Sequence, residues 1–200
     1  LSQTNVGDER GKRGGFTTLI LGPIIGQTAD MEGEDLGGSL GFFNMVRFGE
    51  EAIPNLTLGL AVGGFGFEGN NGQHKGAAGG ILMDFSWRPA PAAMDNLLVY
   101  FATGLGGGQV TRTQDNSVRG APAGAIYMAG IGYEILVAGG QKSAKDKSVS
   151  QSRSWVLTPA VRAIVIPPSG ENEAMYNAFI VSVDVTTYSG LDISVRKSRD

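Results

Sequence analysis

The sequence alternates, over long stretches, between large apolar residues and small or polar ones. Successive residues of a β-strand point to opposite faces, so residues i and i+2 share a face. In the segment 76–88 the two faces separate as follows: Ala77, Ile81, Met83, Phe85 and Trp87 against Ala78, Gly80, Leu82, Asp84, Ser86 and Arg88. The segment 153–167 divides in the same way, with Trp155, Leu157 and Val161 opposite Ser154, Thr158 and Arg162. The pattern predicts strands whose apolar face carries no charge.

Eight segments of this kind are separated by stretches rich in Gly, Pro, Asn, Asp and Ser, which are typical of turns. They run over 15–26, 36–48, 54–67, 76–88, 96–110, 122–137, 153–167 and 175–188. All eight exceed the usual strand of about 5 to 6 residues and suit a tilted bilayer crossing, which needs about 9 to 11. The 32 glycines disfavour helices, at about 1 kcal/mol each. We therefore expect an all-β chain: a polar arm over 1–14, a barrel over 15–195 and a charged tail over 196–200.

Charged residues inside the segments fall on the small or polar face, apart from Arg153 at the start of its segment. The set is balanced in sign: Arg47, Asp84, Arg88, Glu134, Arg162 and Asp184. The companions on this face are mostly glycine, alanine and serine, which suit the interior of a narrow barrel better than a solvent face. Because a buried charge needs a partner, we predict an ion-pair network that fills the lumen, with Arg162 and Asp184 as one pair.

Aromatic residues on the apolar faces lie near the ends of segments, where a membrane barrel carries its interfacial girdles. These residues are Phe48, Trp87, Tyr133 and Trp155. The first segment is less informative, because Leu19, Ile20, Leu21 and Ile24 place apolar residues on both faces. Its orientation stays open at this point.

The chain resembles the small eight-stranded outer-membrane barrels of the OmpA-type transmembrane family over residues 15–195. The resemblance rests on strand number, alternation and turn spacing, and on an ending, Tyr188, Gly190, Ile193 and Val195, that looks like the assembly signal of such barrels without its terminal aromatic. It implies a bacterial outer-membrane location and periplasmic termini. The connections 27–35, 68–75, 111–121 and 168–174 would then face outside, and 49–53, 89–95 and 138–152 the periplasm.

Other candidate chemistry is sparse. The only histidine, His74, falls in a predicted connection, and Gly76 occupies the serine position of the His-x-Ser pair of barrel deacylases. Asp30, Glu32, Glu34 and Asp35 form an acidic loop, solvated or able to hold a divalent cation. Residues 64–69 match G-x-G-x-x-G, but turn residues follow instead of a helix. We expect no enzyme, cofactor or metal site.

The predicted function is therefore structural: an outer-membrane anchor or interaction barrel with a plugged lumen, in contact with lipid and other envelope proteins. The polar arm is one candidate contact. A formal net charge of −3 argues against a nucleic-acid partner, and a sequence beginning at Leu1 suggests a processed chain. Two alternatives remain: a small pore or ligand-binding barrel, and a soluble lipocalin-like barrel with its apolar face inward and Arg47, Asp84, Glu134, Arg162 and Asp184 outward.

Overall fold

A computed structural model describes residues 14–29, 35–53, 55–69, 72–89, 96–121, 123–143, 150–168 and 175–192. These residues form ten β-strands. In chain order they are β1 (Gly15–Ala29), β2 (Asp35–Ile53), β3 (Leu56–Gly69), β4 (His74–Trp87), β5 (Leu97–Arg112), β6 (Val118–Gly120), β7 (Ala123–Tyr133), β8 (Ile135–Ser143), β9 (Ser150–Ile166) and β10 (Met175–Asp192).

The strands close into one antiparallel barrel. The order around the wall is β1, β2, β3, β4, β5, β7, β9 and β10, and β10 pairs back onto β1. β8 continues the line of β7 after Glu134 and pairs with β9, whereas the short β6 pairs with the end of β5. Eight strands therefore build the wall, and the predicted eight-stranded antiparallel barrel is confirmed.

The stagger of the strands fixes the width of the barrel. A walk from Gly15 across each paired residue in turn, through Glu50 and the six other strands, returns to β1 at Ile25, ten residues further on. This shift of ten residues is the shear of the barrel. For eight strands it gives a strand tilt of about 43° and a radius of about 8 Å from the barrel axis to the main chain. Such an interior is just wide enough to be filled by side chains.

The charged face of the strands lines the interior of the barrel and the apolar face lies on the outside, as the alternation predicts. Arg47, Asp84 and Arg162 point into the barrel and are at most 3% exposed, whereas apolar residues such as Ile81 and Val161 lie on the outside. The soluble lipocalin-like alternative is therefore wrong, because it requires the opposite arrangement. In β1, Ile20 and Ile24 face the interior and Leu19 and Leu21 face outward, which settles the orientation of that strand.

Several predicted boundaries are wrong. β8 runs to Ser143 and β9 starts at Ser150, so the expected connection over 138–152 is mostly a two-stranded extension of the wall. β2 continues to Ile53, because its pairing with β3 reaches Leu56. The predicted connection over 111–121 contains β6.

Some features predicted from the sequence involve residues that the structure does not describe. Residues 1–13 of the polar arm, the tail 196–200, and Asp30, Glu32 and Glu34 of the acidic loop lie outside the described residues. So do Ile193 and Val195 of the terminal signal. Both ends of the barrel sequence meet at one rim, where Gly15 pairs with Ser189.

Candidate functional site

The six charged residues predicted to face the lumen lie there as three ion pairs, and we call them the ionic cluster. Arg47 donates to Asp84, and Arg162 donates to Asp184. Arg88 binds Glu134 through two hydrogen bonds, from Nε to Oε2 at 3.2 Å and from Nη2 to Oε1 at 3.1 Å. None of these side chains is more than 4% exposed. Burial makes the pairing obligatory, because an isolated charge in such a site would be strongly destabilising.

Hydroxyl groups complete the coordination of the carboxylates. Ser86 donates to Asp84 and Ser182 to Asp184, each two residues away on the same strand and hence on the same face. Tyr188 donates from its hydroxyl to Glu134 Oε1 at 2.6 Å. Thus each carboxylate accepts hydrogen bonds from both a guanidinium and a hydroxyl.

Tyr100 on β5 joins two of the ion pairs. Its ring lies between two guanidinium groups, with Arg162 Cζ at 4.4 Å and Arg47 Cζ at 5.0 Å from the ring centre. Its hydroxyl donates to Asp184 Oδ2 at 3.3 Å. Cation–π contacts of this kind contribute about 2 kcal/mol or more when they are desolvated. The aromatic ring therefore ties the pairs of β2–β4 and β9–β10 into one cluster.

The other end of the lumen is mostly apolar, which the sequence did not predict. Tyr176 stacks on Phe65 and Phe67, with ring centres 4.7 Å and 4.8 Å apart. Nearby, Ile126 packs over the positions of Gly80 and Gly106, where a Cβ would lie 2.8 Å and 2.4 Å from its Cδ1. Glycine on one strand thus makes room for a large side chain from another.

Little space remains around the ionic cluster. A void bordered by Arg47, Tyr100, Glu134 and Tyr188 has a volume of about 10 Å³, room for about one water molecule. Within the described part of the chain, Arg47 Nε, Asp84 Oδ2 and Arg162 Nε are buried without a hydrogen-bond partner. Of these three residues only Arg47 borders the void, where a trapped water would suit its unpartnered Nε.

The four predicted interfacial aromatics are about half exposed on the outer surface. Trp87 ends β4, Tyr133 ends β7, and Phe48 and Trp155 lie near the corresponding ends of β2 and β9. All four therefore surround the rim that holds Gly15 and Ser189. These four residues form a single ring of aromatics at that rim, and not a ring at each end of the barrel.

His74 differs from its expected setting. It is the first residue of β4, and its side chain is 8% exposed instead of solvated in a connection. Its Nδ1 has no hydrogen-bond partner among the residues described. Across the same residues, no group of three or more His, Cys, Asp or Glu side chains is placed to hold a metal ion. No helix in the described ranges is long and apolar enough to cross a membrane.

Comparisons with known proteins support the fold. No protein-family model and no curated protein matches the chain. The attachment invasion locus protein Ail of Yersinia pestis aligns over 86% of this chain and 98% of its own, at 10% identity and a TM-score of 0.52. Neisserial surface protein A aligns over 86% and 95%, at 14% identity and a TM-score of 0.48. OprG from Pseudomonas aeruginosa aligns over 90% and 97%, at 10% identity and a TM-score of 0.34.

The likeness to Ail and the closed wall agree on the class of protein. The chain has the fold of a small bacterial outer-membrane β-barrel, as predicted. An outward face made of large apolar side chains is the surface that such a barrel presents to lipid. The narrower resemblance to the OmpA-type family stays a prediction.

Proposed function

We propose that this barrel is a non-conducting anchor of the outer membrane, which holds its connections and termini at the membrane surfaces for contact with other envelope proteins. The observation that carries the proposal is the filled lumen. The ionic cluster occupies one part, and Phe65, Phe67 and Tyr176 occupy another. An anchor needs a stable wall and no open path, and the paired charges and stacked aromatic rings of the interior support this role.

The outer surface supports placement in lipid. Apolar side chains such as Ile81, Met83 and Phe179 are 58% to 65% exposed. In water a continuous surface of this kind would drive aggregation, whereas in a bilayer it is the stable arrangement. The aromatic ring around Trp87, Tyr133 and Trp155 would mark one membrane interface.

The strands at the rim near the termini support the proposed contact with envelope proteins. β9 starts at Ser150 and pairs with β10 as far as Asp192, beyond the level at which β1 begins. With β8, these strands form a three-stranded extension that continues past the wall on one side. A sheet that projects from the membrane would offer main-chain groups to an envelope partner.

Single-channel recording in planar bilayers tests the closed lumen. The purified, folded barrel should give no steady conductance, while a general porin measured in the same bilayers shows that the recording works. Steady, reproducible openings of the wild-type protein would overturn the proposal and favour the small-pore alternative.

Chemical cross-linking in native membranes tests the contact role separately. We expect defined cross-linked species that contain the barrel, and we expect them to weaken when residues 144–149, between β8 and β9, are replaced by a short Gly-Ser linker. Replacement of residues 70–71, between β3 and β4, by Gly-Ser serves as the control. A barrel that stays alone in native membranes would refute the interaction role and leave the anchor.

A further inference from the structure

An apolar groove crosses the outer surface of the barrel, and its volume is about 510 Å³. It runs over β7, β9 and β10 to β1. The paired residues Ile131, Val161 and Val181 line its middle, and Pro23 and Pro159 border it. Its surface is almost wholly apolar, and it lies within the face that meets lipid. The groove is therefore continuous with the lipid contact of the wall.

The main chain of the groove is unusual at one point. Gly22 and Pro23 are missing from the otherwise regular pairing of β1 with β10, although Pro23 keeps its register with Phe42 of β2. Proline has no amide hydrogen to donate to a neighbouring strand. Its ring instead presents a rigid apolar edge, so the shape of the groove is fixed by the backbone.

The dimensions of the groove select its occupant. An apolar cavity of about 150 Å³ holds benzene, or about 25 Å³ per carbon, so this groove accommodates roughly 20 carbon atoms. That is the size of one fatty acyl chain. The groove starts at the rim, where Tyr133 ends β7 and Leu97 begins β5, and reaches Pro23 near the middle of β1. This is about half of the wall, as deep as one leaflet.

The rim end of the groove is polar enough for the head of a lipid. Asn96 Nδ2 donates to the Tyr133 hydroxyl at 3.4 Å, at an exposed position. The tyrosine hydroxyl can donate in turn to an ester carbonyl. We propose that this groove is a specific site for one acyl chain of a phospholipid in the leaflet next to the Gly15 rim, with the ester group beside Tyr133.

Native mass spectrometry tests the site in mild detergent with added 1-palmitoyl-2-oleoyl phosphatidylethanolamine. The wild-type barrel should retain one lipid. Val161→Trp, which fills the groove, should lower retention at least tenfold. Val62→Trp is the matched control, because Val62 is 47% exposed on the wall away from the groove and Val161 is 48% exposed. This control should retain lipid like the wild type.

Two further measurements keep the test decisive. Gel mobility with and without heating shows whether each variant is folded, and Val183→Trp, in the same groove, replaces Val161→Trp if that variant does not fold. A single-chain palmitoyl lysophospholipid should compete fully, since the groove takes one chain. Absence of a retained lipid, or equal retention by groove and control variants, would overturn the proposal without affecting the closed lumen.

Discussion

Asp184→Asn should destabilise the barrel far more than any change at a surface ion pair. The Asp184 side chain is 1% exposed and that of Arg162 is not exposed at all. The carboxylate also accepts hydrogen bonds from Ser182 Oγ at 3.2 Å and from the Tyr100 hydroxyl at 3.3 Å. Asparagine keeps the shape and part of the hydrogen bonding but leaves the Arg162 guanidinium without a counter-charge.

The expected loss is about 3 to 5 kcal/mol of the free energy of unfolding, because removing one partner strands a buried charge. This corresponds to a change of roughly 150-fold to several thousandfold in the unfolding equilibrium constant. Asp115→Asn is the control: its partner Arg112 lies 3.9 Å away, and the two side chains are 53% and 41% exposed. Breaking that exposed pair should leave the urea midpoint nearly unchanged.

The measurement is a urea titration of the barrel in lipid vesicles, followed by the fluorescence of Trp87 and Trp155 and by gel mobility. The double variant Arg162→Met with Asp184→Asn should regain much of the stability, because no buried charge remains. If Asp184→Asn costs under about 1 kcal/mol, as at an exposed pair, water reaches the lumen and the closed interior is refuted.

Two other substitutions, each with a control, test the wall of the barrel. Ile81→Arg, at a lipid-facing position in the middle of β4, should cost about 2 to 4 kcal/mol in lipid, whereas Thr187→Arg near the rim should cost about 0 to 1. Equal costs in the same titration would contradict the membrane placement. Gly104→Ala should destabilise by about 1 to 3 kcal/mol, because its Cβ would lie 2.0 Å from the Ile81 carbonyl oxygen. Gly66→Ala, whose Cβ would have no neighbour nearer than 3.8 Å, should leave the urea midpoint unchanged.

The alternation of the sequence was sufficient to predict the wall and the inner position of the ionic cluster. The reason is the distribution of charge. When one face of a strand carries a residue such as Asp84 or Arg162 and the opposite face carries no charge, the charged face can be assigned to the interior without further information. The alternation also places Tyr100 on the inner face, opposite Val99 and Phe101. Its place between two guanidinium groups depends on three-dimensional pairing, which the pattern along one strand does not contain.

For the first strand, the alternation did not predict which face points into the lumen. Ile20 and Ile24 belong to the buried apolar cluster of the lumen, although Ile20 lies opposite Asp184 of β10, so both faces of β1 carry large aliphatic residues. The glycine residues that make room for such side chains lie on other strands, as Gly80 and Gly106 do for Ile126. The end of β8 was missed for a related reason, since its pairing with β9 continues through polar residues that resemble a loop.

The pairing of β1 with β10 has a consequence for how the barrel forms. Most neighbouring strands are joined by short connections, as where Gly69 pairs with His74, but the closing pair joins residues up to 174 positions apart. Such distant contacts carry a large entropic cost of loop closure and form late. Until the closing pair forms, β1 and β10 are both open edges, able to pair with the wrong strand or with another chain. The step that completes the wall is thus also the step at which misassembly would begin.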